Sequence, residues 1–584
     1  MQHTGSLARK DWSIVMRTFR AILLLVLGLV ILAACTSTTA TSPSPMVQST
    51  PPLLTESPTT PASNPTEVLD PTTAPTPTTP ASVDGRPVVQ IDTTSPGQPI
   101  DPRLFGTNIP AWLGPSNLGR DDVLAMTQAL GTNILRIPGG SWSNAYSWLA
   151  CETGDAQKNT EDGCYWPWAA RPTDFLNFVR ATGMEAMWTV SINGTSKEAA
   201  ALVAFFNGTV DDTTPIGVDV RGYDWKTVGY WAQLRADNGN PEPLGIKLWE
   251  VGNEVYGGKP DMGGGDCSEW GWEDVWTCDG TEYMLGKIVG SEIYEGYLDF
   301  RDAMRAVDPT ILVGAVGVEE PDSWSDWGNE VIREGGENLD FYVIHHYAYS
   351  EQPPSTEAAL ARPQETWAEM IAATNAAFDT YLGRRIPIAV TEYNLVAFQD
   401  LDNDQLMTRA VNALFLADTL GQLATHGVAM ANQWDLANGR ANNGTDYGMI
   451  DMDTGVRAPQ YYAMLLWSRF GSQLLPVNSP FAADTTLSVY AGRDEDGNLS
   501  LIAINKTDTP QDVRFEWLGA SGVWQASVDL FMADTLEATE GTFNNNPDPA
   551  FDLADAPAAD LGAVEGNLAY TAPPFSISLI RLEQ

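Results

Sequence analysis

The chain has 584 residues, with 75 Asp and Glu against 32 Lys and Arg, a formal net charge of −43, four His and five Cys. So acidic a surface repels nucleic acid and acidic polysaccharides such as pectate, and so few histidines leave little from which to assemble a multi-histidine metal site or a Ser-His-Asp hydrolase. The sequence has neither a Gly-rich phosphate loop nor a basic patch, so nucleotide and nucleic-acid functions find no support and a neutral partner is expected.

At the N-terminus, Arg9, Lys10, Arg17 and Arg20 precede an apolar run that ends at Ala34. The run is too short and wrongly flanked for a stable spanning helix but suits a signal peptide over residues 1–34. It closes on Leu32-Ala33-Ala34-Cys35, which resembles the bacterial lipobox. That resemblance implies a lipidated Cys35 as the first mature residue, holding the protein on a membrane at the outer face of the cell envelope. Residues 35–83 follow as a linker: 32 of the 47 residues from Thr36 to Ser82 are Thr, Ser or Pro. Such a segment has too little apolar area to offset its ordering entropy and is expected to be an extended stalk, reaching on the order of 100 Å in polyproline geometry.

Residues 84–99 carry one strand, at 88–91, expected to join a sheet formed later in the chain. From residue 100 to 472, β-branched runs alternate with amphipathic stretches, the pattern of βα units. Eight strands are predicted, at 104–108, 134–137, 186–190, 246–251, 311–316, 341–345, 388–391 and 429–434. Helices are predicted between them, among others at 172–182, 291–307, 356–381 and 404–426. The expected fold is a (β/α)8 TIM barrel. Over residues 473–584 the pattern shortens to alternating runs at 487–491, 499–505, 513–517 and 575–580 separated by turn residues, which predicts a C-terminal β-sandwich.

Two of the barrel strands end on carboxylates: Trp249-Glu250-Val251-Gly252-Asn253-Glu254 and Ile388-Ala389-Val390-Thr391-Glu392-Tyr393-Asn394. In a (β/α)8 barrel the C-terminal strand ends converge on one pocket, so Glu254 after strand 4 and Glu392 after strand 7 become neighbours. Two carboxyls with divided roles are what glycoside hydrolysis requires, one protonating the departing oxygen and the other attacking the anomeric carbon or activating water, without metal or cofactor. Glu250 reads as a buried polar residue lower in the barrel. Of the two strand-end carboxyls, Glu254 is expected to hold its proton more tightly while Glu392 stays ionised.

These motifs resemble those of the α-L-arabinofuranosidases of glycoside hydrolase family 51, in the retaining (β/α)8 clan A. Leu135-Arg136-Ile137-Pro138-Gly139-Gly140, with Tyr146 and Trp148, and Phe341-Tyr342-Val343-Ile344-His345-His346-Tyr347 extend the match. The resemblance implies Glu254 as acid/base and Glu392 as nucleophile, Asn253 on the sugar hydroxyl next to the reacting carbon, and Arg136 orienting the nucleophile and keeping it ionised. Tyr347 and His346 would hydrogen-bond near the nucleophile, and Trp434 and Trp148, with Trp142 and Trp166, would offer stacking platforms for a sugar face. Asn108 stands where the first strand meets the pocket. There the sequence departs from the family, whose members carry a sugar-gripping Glu shortly after this strand, whereas Leu104 to Trp112 contains no acid.

Cys151 with Cys164 and Cys267 with Cys278 form two close pairs, each after a barrel-strand motif, and read as disulfides that stiffen loops around the pocket in an oxidising compartment. The expected activity is retaining hydrolysis of a neutral plant-type polysaccharide or oligosaccharide, first as an α-L-arabinofuranosidase. An endo-β-1,4-glucanase or xylanase of the same clan is the alternative that the missing Glu and the 20 Trp favour. A surface glycan-binding lipoprotein without catalysis is the alternative from another class.

Overall fold

The computed structural model describes residues 85–154, 168–258 and 271–584. The leader, Cys35, the Thr/Ser/Pro-rich stretch, Cys164, Trp166 and Cys267 lie outside them. Strand β1 spans Val88–Asp92. The barrel strands follow as β2 (Gly106–Pro110), β3 (Ile134–Gly139), β4 (Glu185–Val190), β5 (Leu248–Val251), β6 (Leu312–Val316), β7 (Phe341–Tyr349), β8 (Ile388–Val396) and β9 (Met430–Gln433). Each pairs in parallel with the next, and Asn432 on β9 pairs with Gly106 on β2 to close the ring.

Helices α1 (Pro172–Thr182), α2 (Ser196–Asn207), α3 (Tyr297–Val307), α4 (Thr356–Tyr381) and α5 (Ala410–Thr425) pack among those outside the barrel. Two starts differ from expectation. The helix predicted from 291 begins only at Tyr297, because Lys287–Val289 and Glu292–Tyr294 pair as an antiparallel hairpin. The β-branched Ile288, Val289 and Ile293 favour that pairing, and the Asp299 carboxylate accepts from the Gly296 N–H to start the helix afresh. The helix predicted from 404 begins at Ala410, since the Asp402 carboxylate accepts from the N–H groups of Leu406 and Met407 and holds that stretch in a tighter turn.

Side chains two apart on a strand share a face, and this parity builds the barrel interior in layers. Ile134, Met187, Leu248, Phe341, Val343, Ala389 and Met430 form an apolar floor. Two residues further along six of the strands stand Arg136, Thr189, Glu250, His345, Thr391 and Asn432, all buried. An apolar floor therefore carries a polar layer, aimed at the C-terminal mouth of the barrel.

Beyond the barrel, β10 (Leu487–Arg493), β11 (Leu499–Asn505), β12 (Gln511–Leu518), β13 (Val523–Met532), β14 (Asn567–Ala572) and β15 (Ser576–Glu583) form two sheets. The larger holds β10, β11, β15 and β13 in that order; the smaller holds β1, β12 and β14. Strand β1 runs parallel to β12, with Val89 opposite Phe515. Val89, Phe515, Trp517 and Leu568 from one sheet meet Leu501, Trp524 and Ile580 from the other in a common core. Lys506, just after β11, ties the sandwich to the barrel: its ammonium lies 2.7 Å from Asp418 on α5 and also donates to the Leu360 carbonyl.

Candidate active site

Arg136 is wholly buried and uses its guanidinium as a hub. Nε donates to Glu250 Oε2 at 2.6 Å, Nη1 to Glu392 Oε1 at 2.8 Å and Asn108 Oδ1 at 3.0 Å, and Nη2 to Asn253 Oδ1 at 2.8 Å. Glu250 also accepts from Thr189 at 3.0 Å and Thr391 at 3.1 Å. Adjacent residues on a strand should face opposite ways, yet Thr391 and Glu392 both reach the interior. The register of β8 against β7 shifts between Ile344 and His345, so that His345 pairs with Glu392. Such a bulge re-aims a side chain toward a site. Tyr347 donates to the other Glu392 oxygen at 2.9 Å.

Glu254 arrives from the turn after β5. Gly252 has φ of 81°, where a side chain would collide with Val255, and Glu254 itself has φ of 43° and ψ of 38°. That region is uncommon for a residue with a side chain and costs strain that persists only where surroundings enforce it. Here two donors and a ring nitrogen surround the carboxyl: Trp272 Nε1 donates to Oε2 at 2.6 Å, Tyr256 OH donates to Oε1 at 3.2 Å, and His345 Nδ1 lies 2.9 Å from Oε1. An oxygen of Glu254, one of Glu392 and a ring nitrogen of His345 all lie within 4.8 Å of one another. Two carboxyls this close match double displacement, since inversion needs about 6.5–9.5 Å to admit a water between them.

The proton affinities depart from the expected order. Burial pushes Glu254 up, but the hydrogen bonds from His345, Trp272 and Tyr256 and the charge of His345 outweigh it and leave the carboxyl below its ordinary range. Burial also raises Glu392; His345 and Arg136 pull it back, the charge of Glu254 pushes it up again, and it stays above its ordinary range. The expectation counted only the two carboxylates; His345, between them, is the group it omitted.

The two glutamates open onto a cavity of about 1060 Å³. Tyr347 and Trp434 line it, as do Trp112, Trp142, Tyr256, Trp272 and Trp324. Gly140, with φ of 79°, lets the Trp434 indole lie against the backbone, at 2.4 Å from where a Cβ would stand. One aromatic group joins Trp112 to Trp434 and to Trp142; a second joins Tyr256, Trp272 and Trp324 with centroids 5.3–6.0 Å apart and stands on the Glu254 side.

Several expected sugar contacts lie elsewhere. His346 faces outward, where its Nδ1 meets Glu319 at 2.5 Å and its ring packs edge-on against Trp367 of α4; the histidine at the site is His345. Trp148 is core, its indole N–H donating to the Glu198 carbonyl and its ring packed on Phe205, Trp225 and Trp231. Asn108 spends its carbonyl on Arg136 and its amide on strand carbonyls such as that of Thr391. Asn253 and Arg136 are buried, Asn253 accepting from Arg136 and donating to Glu273 and Arg136 donating to Glu392. Cys151 and Cys278 are each disulfide-bonded, while Cys164 and Cys267 are among the residues not described.

Residues 126–359 match the family model for the α-L-arabinofuranosidase 1 domain. The α-L-arabinofuranosidase C of Emericella nidulans is 26% identical over 264 residues, 43% of this chain and 44% of that protein. The matched stretch thus spans less than half of that relative. The chain carries a family 51-like barrel. The solved GH51 α-L-arabinofuranosidase of Thermotoga petrophila superposes with a TM-score of 0.64 at 21% identity, over 85% of this chain and all of that one. A family 44 xyloglucanase of Paenibacillus polymyxa superposes with a TM-score of 0.54 at 14% identity, over 85% of this chain and 99% of that one.

Nothing in the sequence marks Glu273 as part of this site. Its buried carboxyl accepts from Ser141 at 2.5 Å, Asn144 at 2.8 Å and, at 3.3 Å, from the side-chain amide of Asn253. Burial, and then the charge of Glu254, raise it to about 8. The native state therefore holds a proton that the unfolded chain releases above its ordinary value of 4.5, so this group costs stability progressively as pH rises from about 4.5 to about 8. Glu273→Gln can set its carbonyl toward Asn144 and its amide toward Ser141, giving up only the 3.3 Å contact with Asn253. It is expected to melt several degrees above the parent at pH 8 and alongside it at pH 5, by calorimetry; equal shifts at both pH values would refute the assignment.

Proposed function

We propose that the protein is a retaining glycoside hydrolase that acts on a neutral glycan, with α-L-arabinofuranosidase as its leading activity. The observation that carries this reading is the pair Glu254 and Glu392, within 4.8 Å at the ends of β5 and β8, with Arg136 bound to the second. Glu392 attacks the anomeric carbon while Glu254 protonates the departing oxygen; water then enters on the same face, deprotonated by Glu254, and releases Glu392. Tyr347 steadies the nucleophile through its second oxygen. The family-model match and the names of the relatives support arabinofuranose as the sugar. The lipobox-like Cys35 supports display on the outer face of the envelope, and two loop disulfides, Cys151–Cys164 and Cys267–Cys278, fit that compartment.

A second reading, endo-β-1,4-glucanase or xylanase, is favoured by the cavity of about 1060 Å³ with aromatic groups on either side, and by Trp112 on the wall near the first strand, in a segment without an acid. The test incubates the protein with an aryl α-L-arabinofuranoside, arabinoxylan and mixed β-glucan and separates the products. Free arabinose is the expected result. Oligosaccharides without arabinose would assign the endo reading, and tight glycan binding without any new reducing end would leave a binding protein.

A further inference from the structure

His345 lies at the centre of the site, and its hydrogen bonds determine where its protons are. Nε2 is 2.9 Å from Thr391 Oγ1. That hydroxyl has one hydrogen and gives it to Glu250 Oε1 at 3.1 Å, for Glu250 is ion-paired with Arg136 at 2.6 Å and, as a carboxylate, can only accept. Thr391 can therefore offer His345 only a lone pair, so Nε2 carries a hydrogen. On the other side of the ring, Nδ1 faces Glu254 Oε1 at 2.9 Å. A bare imidazole nitrogen and a carboxylate oxygen are both acceptors and do not approach so closely without a proton between them. The contact holds one proton, either on Nδ1 as imidazolium beside carboxylate or on Oε1 as carboxylic acid beside neutral imidazole.

We propose that His345 and Glu254 share the single acid proton of the reaction, with His345 storing it and returning it to Glu254. The proposal rests on the reading of Glu254 as the acid/base. The charged groups facing the ring are Glu254 from the β5 turn, Glu392 from β8 at 3.7 Å and Arg136 from β3. Burial disfavours the imidazolium and Arg136 opposes it, but Glu392 and Glu254 together raise His345 above its ordinary range. In the first step the proton moves from Nδ1 to Glu254 and on to the leaving oxygen, as the glycosidic C–O bond breaks and the bond from carbon to Glu392 forms. In the second, a water proton passes to Glu254 and back to Nδ1 as the new C–O bond replaces the bond to Glu392. The site ends each cycle with the proton it began with.

Two measurements test this. Nitrogen-15 histidine spectra of the full chain, which has four histidines, should show His345 protonated at Nε2 throughout, with Nδ1 titrating. Glu254→Gln should lower that titration midpoint by at least about one pH unit. An Nδ1–H tautomer at high pH, or a midpoint unmoved by Glu254→Gln, would overturn the proposal whether or not Glu254 is the acid. In kinetics, His345→Gln should shift the basic limb of kcat downward in pH on a substrate with a sugar leaving group, and should slow a dinitrophenyl glycoside, which needs no acid for departure, only in the hydrolysis of its glycosyl-enzyme. A uniform loss across pH on both substrates would make His345 a structural residue. If Glu254→Gln turns over the sugar-leaving substrate at the parent rate, the acid/base reading itself fails.

Discussion

Glu392→Ala is expected to lower turnover by at least about 10⁴-fold on any substrate the protein accepts, because no other group can form the glycosyl bond. The fold should survive. Arg136 keeps Glu250 as its counter-charge at 2.6 Å, and Asn108 and Asn253 still accept from it, so the truncation strands no buried cation. Thermal melting within a few degrees of the parent checks that point. The methyl left behind opens room at the anomeric carbon, and added azide should restore turnover of an activated glycoside, giving a glycosyl azide of inverted configuration. Glu254→Ala should behave differently: a dinitrophenyl substrate still loads Glu392, hydrolysis of the glycosyl-enzyme stalls, and azide gives the product of retained configuration. Interchanged stereochemistry would exchange the two roles, and parent-like rates in Glu392→Ala would remove it from the chemistry.

The strands and the two glutamates were legible because barrel strands bury both faces and read as β-branched runs, and because a carboxylate that ends such a run has few structural uses. The histidine was legible too, though by parity rather than motif. Along Phe341–Tyr349 the floor residues Phe341 and Val343 set the inward register, which continues to His345 and Tyr347 and sends His346 out to Trp367. Trp148 had no such register to read: it follows a turn, and only the packing of Phe205, Trp225 and Trp231 around it settles its place. Glu273 was illegible for a different reason. Its partners Ser141, Asn144 and Asn253 come from two other loops, and no periodicity links residues brought together only by loop closure. The bulge at Thr391 likewise lies beyond strand alternation, which would turn Thr391 and Glu392 to opposite faces.

Arg136 carries the other large effect, and it divides between stability and chemistry. Lysine cannot reproduce a fork that reaches Glu250, Glu392, Asn108 and Asn253 at once. With Arg136→Met, both Glu250 and Glu392 lose their buried cation, and removing one partner of a buried pair costs about 3–5 kcal/mol. Denaturant unfolding should show that loss. Adding Glu250→Gln removes one of the two stranded charges and should return much of the stability, but it should not return the rate. Glu392 would still lack the guanidinium that holds its proton affinity down, so its carboxyl must rise further. The ionised nucleophile is then present only at higher pH, and the acid limb of kcat/KM moves upward in the double variant. Recovery of both stability and the parent pH profile would mean that Arg136 serves packing alone; recovery of stability with a displaced acid limb assigns it to keeping Glu392 ionised, the step on which glycosyl transfer to the protein depends.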